Sequence, residues 1–324
     1  MKTNFKTIGL LFLATIALVS CTNDTATTDY VPTAANFFAI KENGVKNVTQ
    51  NFTATAGNGL ITLTSAKGVA ITLNGNALTK NGNPVTGTID ITYIELFDKG
   101  RMLVTNKPTM GVMADGNHAM LKSGGEFFIK ASQGGVDLVT ISNITLVVPT
   151  NLTGGVDNTM TLWTGAVDTK DELVWRTADA AGANGGKGGV EAMQNSYYVS
   201  FGNFGWTNVD KFYSDPRPKT TILVAAPQGY DNTNSAIYLS YDGEGQNALA
   251  KLDTYTAAGL FSEHYGQIPV GLACHIIFAT EDNGQWRCAI KAVTITTGAT
   301  YTFTLAETSI GSEAQLVAAI NAIQ

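Results

Sequence analysis

The chain is poor in the residues that usually announce chemistry, with 3 histidines and 3 cysteines among its 324 residues. None of His118, His264 and His275 has a Cys, His or acid at metal-ligand spacing on a shared helix, so no metal site is expected. His275 opens an apolar stretch and reads as a satisfied core residue, and the neighbours Glu263 and His264 would point to opposite faces of a strand. No serine sits in Gly-x-Ser-x-Gly and none has lysine three positions on, so the common serine hydrolase signatures are missing. Gly182 to Gly189 has Ala181 where a phosphate loop needs its first glycine and Gly188 after Lys187, and reads as a linker-like loop. Charged residues make up only 14 %, the formal charge is −6, and no Lys/Arg run occurs, which argues against nucleic acid or anionic lipid as a partner. No cofactor is expected.

Long apolar runs are equally scarce, and the one present is informative. Lys2 and Lys6 precede an apolar stretch from Ile8 to Val19, too short to cross a hydrocarbon core of ~30 Å as a helix. It ends in Leu18-Val19-Ser20-Cys21, which resembles the lipobox of bacterial lipoproteins. The resemblance implies a signal peptide over residues 1–20 and acylation of Cys21, giving a protein anchored by lipid with no transmembrane helix. Thr22 is not the aspartate that retains such proteins at the inner membrane, so the resemblance implies the outer membrane; it does not choose between the periplasmic and surface faces. Residues 21–35, rich in Thr, Ala and Asn, read as a flexible tether.

What is abundant is glycine, 34 residues, with much threonine and recurrent period-2 alternation, which predicts an all-β fold. Many short strands between Gly/Asn/Asp/Pro turns predict two β-sandwich-like domains, 36–150 and 151–324, with a short C-terminal α-helix. Thr88 to Tyr93 alternates cleanly, and the slip in phase at Tyr93-Ile94 suggests a bulge. Met102 to Thr105 reads as another strand. Only Ser312 to Ile323 reads as a helix, opened by the capping box Ser312-Glu313-Ala314-Gln315 and striped by Leu316, Val317, Ile320 and Ile323.

Asn283-Gly284 predicts a two-residue hairpin turn. Cys288 then faces Ala279 and Cys274 faces Val293, on opposite faces and roughly 17 Å apart along the strands, so the two thiols should stay unbridged. Asp242-Gly243-Glu244-Gly245-Gln246, with Asp253 at the twelfth position, departs from a calcium loop at Asn247 and Asp253 and reads as an ordinary Asp-Gly turn.

Gly82-Asn83-Pro84-Val85-Thr86-Gly87, with Ile89, Ile91 and Glu95 beyond it, resembles a β-sandwich module of bacterial surface proteins. Leu121-Lys122-Ser123-Gly124-Gly125-Glu126-Phe127 looks like that module's second signature. Gly205-Trp206-Thr207-Asn208-Val209-Asp210-Lys211-Phe212 is similar to a Gly-Trp-x-Asn-x-Asp-x-Phe motif of secreted Bacteroidetes lipoproteins. The resemblance covers most of 57–324 and implies fold without activity, so it supplies no catalytic residue.

The densest cluster of rings runs from Tyr197 to Tyr213, and most of it reads as core, with Tyr197, Val199 and Phe201 on one strand face. Tyr198, Phe204 and Trp206 are the candidates for stacking on a partner. The expected function is a non-enzymatic binding or structural module of the cell envelope, with an envelope protein or surface glycan as partner and the membrane reached through lipid. The alternative is a polysaccharide-acting hydrolase using loop carboxylates.

Overall fold

In the computed structural model the described residues are 30–167, 172–178, 188–245, 247–263 and 266–324. Cys21, the expected signal peptide, most of the expected tether, most of the stretch from Gly182 to Gly189 and His264 lie outside them. Val31–Gln324 forms one compact unit. No helix among the described residues is long and apolar enough to cross a membrane.

The fold is all-β, with three α-helices among the described residues, and the first of them was not foreseen. α1, Ala34–Val48, starts at Thr33, whose hydroxyl caps Asn36 while the Asn36 side chain returns to the Thr33 backbone. It occupies residues expected to belong to the tether and the first sandwich. Phe37, Ile40 and Gly44 form its buried face. α2, Lys99–Val104, replaces the strand expected at Met102 to Thr105, because Asp98 caps the Arg101 amide and starts a turn there. α3, Glu313–Asn321, carries the expected capping box at Ser312 and Gln315.

Five strands organise the rest: β1 Gly87–Leu96, β2 His118–Gln133, β3 Gly205–Phe212, β4 Ala273–Asp282 and β5 Gln285–Thr294. The first sheet runs in the order Gln50–Ala56, β1, β2, β3, Thr161–Val167, Leu173–Thr177, Met110–Val112. Met110–Val112 also pairs with β2, so the last five strands close into a ring, with one parallel pairing, Trp175 to Gly111, at the seam. A second sheet, in the order Gly189–Met193, Ser196–Phe201, Ile144–Pro149, Ala70–Asn74, Leu60–Thr64, covers the first. Between them lies a core that includes Ile71, Leu146, Tyr197, Ile91, Tyr93, Phe127 and Val209.

A second core, including Ile237, Leu239, Ile276, Phe278 and Phe303, lies against the sheet Ala250–Lys251, Ser235–Tyr241, β4, β5, Ser309–Gly311. The three helices fill the wedge between the two bodies. Phe37, Met102 and Ile320 meet Ile94 and Leu96 from the first sheet and Tyr238, Ile277 and Trp286 from the other.

Strands on both sides of Pro149 share the first two sheets, with Ile144–Pro149 paired to Ser196–Phe201 and β2 paired to β3. The chain therefore does not divide at 150/151, and the change of core follows Phe212. The phase slip at Tyr93-Ile94 is not a bulge either, since pairing with β2 runs unbroken from Asp90 to Leu96. Both faces of β1 are covered there: Tyr93 enters the first core while Ile94 and Leu96 meet the helices. The bulge occurs instead in β2, where Val209 faces Gly124 and Gly125 between the pairs Asn208–Glu126 and Asp210–Ser123.

Candidate functional site

The two signatures that lie apart in sequence are neighbouring strands. Trp206 pairs with Phe128, Asn208 with Glu126 and Asp210 with Ser123, and directly paired residues share a face. The Gly124-Gly125 bulge turns Ser123 back to the face of Glu126. A Cβ on Gly124 would meet Val209 and Tyr197, and one on Gly125 would meet Phe97 and Phe127, so neither position has room for a side chain. Trp163 pairs with Asn208 and Trp175 with Gly165, which brings both indoles to the same inward face of the ring.

The interior is thus part polar. Ser123 Oγ donates to Asn208 Oδ1 at 2.8 Å, Asn208 Nδ2 donates to Asp210, and the Gly125 amide donates to Ser123 Oγ at 3.0 Å. Trp163 Nε1 donates to the Asp210 carbonyl at 2.9 Å. Glu126 and Asp210 are wholly buried. Burial pushes the Glu126 carboxyl far above its ordinary range and the Asp210 charge adds to the rise, while Lys107 and the Trp175 indole oppose it. Burial does the same to Asp210 against its Ser123 hydrogen bond. Burial thus disfavours the charged form of both acids, and neither reaches a ligand in bulk water.

Above them is the mouth of the ring, where side chains converge on a surface groove of about 310 Å³. Its floor is Phe128 and Trp206, ring centroids 5.3 Å apart, with Trp175 edge-on to Trp206 at 6.3 Å. Its walls are Phe38 and Val45 of α1, Ile94 and Val167. Phe38 and Val167 are 44 % and 45 % exposed. Lys41, Glu42, Lys46 and Lys107 also line the groove, and Lys107 itself is buried. The Lys107 amine lies 6.0 Å from the Trp206 ring, and that of Lys41 lies 4.7 Å from Phe37 and 5.9 Å from Phe38. Past Phe38 and Lys41 is a more polar hollow of about 410 Å³, lined in part by Asn232, Thr233, Ser235 and Lys251.

The three rings proposed for binding lie in different places. Trp206 lines this groove. Phe204 packs against the first core at a separate hollow of about 250 Å³ that Trp206 also borders. Tyr198 is not part of either: it lies on the outer face of the covering sheet, opposite Val147 and Glu191, while Tyr197 points inward. Lys107, Phe38 and Phe128 were missed, and so were Glu126 and Asp210, although both acids stand inside the quoted motifs. Asp210 shares the period-2 face of Trp206 and Asn208, and that was the available signal.

The other sequence candidates resolve into ordinary partnerships. His275 Nδ1 is 2.7 Å from Asp242 Oδ1, His118 is 3.3 Å from Asp253, and Glu244 is 2.8 Å from Lys122. The acids of the calcium-like stretch therefore face separate partners, and no group of three or more His, Cys, Asp or Glu side chains is placed to hold a metal among the described residues. Glu244 and Asp157 do face one cleft of about 560 Å³, from loops of the two bodies. Each is tied to a lysine, Lys122 and Lys211, which are direct cross-strand neighbours. Lys211 and Thr159 hold the Asp157 carboxyl down at about 2.

The chain matches no known protein-family profile, and no curated protein is similar to it in sequence.

Proposed function

We propose that this protein is a lipid-anchored module of the bacterial outer membrane that binds an envelope partner and catalyses nothing. The observation that carries the reading is the groove at the ring mouth, where the tryptophan of the Gly-Trp-x-Asn-x-Asp-x-Phe motif is presented beside exposed Phe38 and Val167. Apolar surface of this kind with a few polar groups at its edge is the usual form of a binding site. The sequence from Lys2 to Cys21 supplies the anchor, and the motifs on β2 and β3 support kinship with the secreted lipoproteins of Bacteroidetes.

Glycoside hydrolysis needs one protonated acid in reach of substrate. Here the acids whose carboxyls burial pushes up, Glu126 and Asp210, are enclosed, while Lys211 holds the Asp157 carboxyl at the open cleft down at about 2. That arrangement supports binding over hydrolysis.

Affinity capture from cells tests the proposal with three chains: wild type, Cys21→Ser and Trp206→Ala. Wild type should fractionate with membranes, yield a mature amino terminus bearing acyl chains by mass spectrometry, and retain a partner that Trp206→Ala loses. A bare amino terminus would overturn the anchoring. Identical partners for wild type and Trp206→Ala would overturn the binding site.

A further inference from the structure

We infer that the cleft between residues 151–157 and 243–245 is a second binding site and takes a neutral glycan. Its sugar faces lie on Leu152 and Val156, and its hydroxyls are held by the ion pairs Lys122–Glu244 and Lys211–Asp157. The cleft shares no lining residue with the groove at the ring mouth, and the inference is independent of the lipid anchor.

Shape and lining argue first. At about 560 Å³ the cleft falls in the size range usual for small-molecule sites. Phe97 and Met160 are buried beneath it, Leu152 is half-buried, and Val156 stands 47 % exposed at its edge. Gly154 and Gly155 both take positive φ, at 86° and 117°, and a Cβ on either would meet open space. The turn therefore demands these glycines, and their lack of side chains lets a ligand lie against the backbone.

Charge argues second. Lys122 is paired with Glu244 across the cleft and Lys211 with Asp157. The two lysines are direct cross-strand neighbours, so the two pairs stand side by side and sum to zero. An anionic ligand meets the two carboxylates, a cationic one meets the two ammoniums, and either must break an ion pair to enter. A neutral ligand breaks neither.

Hydrogen bonding argues third. Each ion pair sets a donor beside an acceptor. Lys122 holds Oε2 of Glu244 at 2.8 Å, which leaves Oε1 to accept, and an ammonium carries further N–H donors beyond the one its pair engages. Adjacent hydroxyls of a sugar ring match this, one accepting from lysine while its neighbour donates to the carboxylate. Side chains already fixed by pairing lose little freedom when the ligand arrives. An extended peptide would call for a bare strand edge, whereas β2 and β3, which carry the lysines, lie inside their sheet.

The test uses the full-length chain with Cys21→Ser, which removes the acylation site, in native gels containing a neutral polysaccharide (dextran, mannan, laminarin or galactan in turn) or the acidic polygalacturonate. At least one neutral polymer should retard the protein, and polygalacturonate should leave its mobility unchanged. Glu244→Ala should weaken the retardation roughly tenfold in polymer concentration, through loss of hydrogen bonds to a charged group. Glu244→Gln, which keeps an oxygen acceptor, should recover part of it. Val156→Asp, a change at an exposed position, should also weaken it, with the urea midpoint of each variant close to that of the parent chain. Unchanged mobility in every neutral polymer, equal retardation by polygalacturonate, or full retardation of both Glu244→Ala and Val156→Asp overturns the inference. If no neutral polymer binds while Trp206→Ala still loses its partner from cells, the role of the ring mouth stands and the second site falls.

Discussion

At the residue scale the dominant feature is that Glu126 and Asp210 are buried where their charged forms are disfavoured. Their ordinary carboxyl values lie near ~4 in the unfolded chain, and folding raises both. Between the unfolded and folded values the native state binds more protons than the unfolded one, so stability is full at low pH and falls as pH rises through that window. Acids such as Asp157, held at about 2, act below ~4 and in the opposite sense. Denaturation midpoints should therefore fall from pH 5 to pH 8, and Glu126→Gln should flatten that slope and raise the midpoint most at pH 8. A slope unchanged by the substitution would remove the pair from the account. Lys99 makes a second residue-scale case. Its buried amine donates to Ser240 Oγ at 2.9 Å, the Gly245 carbonyl at 3.1 Å and the Ile323 carbonyl at 2.7 Å. Lys99→Met would leave these acceptors without their donor and should cost roughly 1–3 kcal/mol, read from urea denaturation. Neither role could be read from the sequence. Lys99 opens a helix whose end, Met102 to Thr105, reads as a strand, and a carboxylate written into a β pattern gives no sign of whether its face meets water or the inside of a closed ring.

At the element scale the helices depend on two glycines. A Cβ on Gly100 would lie 2.6 Å from the Val317 carbonyl of α3, and one on Gly44 would fall on the Val104 carbonyl of α2. Alanine is the better helix former by about 1 kcal/mol, yet both Gly100→Ala and Gly44→Ala should destabilise by roughly 1–3 kcal/mol, because the helices must move apart. Thermal denaturation of each variant decides it, and a gain in stability at either site would show that the crossing relaxes freely. The C-terminal helix was legible because Ser312 and Gln315 make a full capping box. α1 was not, because Asn36 takes the place usually held by Glu or Gln. The β4–β5 hairpin was legible to the residue: Asn283 and Gly284 both take positive φ, Cys288 pairs with Ala279, and Cys274 pairs with Val293. Both cysteines are free, and burial pushes the Cys274 thiol up to about 12. It should resist alkylation at pH 8 until the protein unfolds, as peptide mass mapping would show.

At the scale of the whole molecule, the all-β class followed from alternation and turn chemistry, while the division at 150/151 did not survive. Local signals mark where a strand ends and carry nothing about which distant strand lies beside it. β2 shows the difference. Met120 belongs to the second core, Leu121 packs with Trp163 and Trp175, and Phe127 and Ile129 belong to the first core. One strand thus ties the packing of both bodies together. Unfolding should be a single transition, with circular dichroism and tryptophan emission coincident across a denaturant series. Two separated transitions would show that the bodies melt independently.

The reach of β2 across the molecule has a consequence for synthesis. Its partner β3 begins at Gly205, more than seventy positions after Gln133. While the nascent chain is shorter than this, one side of β2 offers bare amides and carbonyls to any extended strand nearby, including another copy of itself. Ribosome-stalled chains ending before 205 should cross-link to one another or to a chaperone, and chains ending after 212 should not. The length at which this protein becomes safe from its own copies is set by the moment β3 arrives.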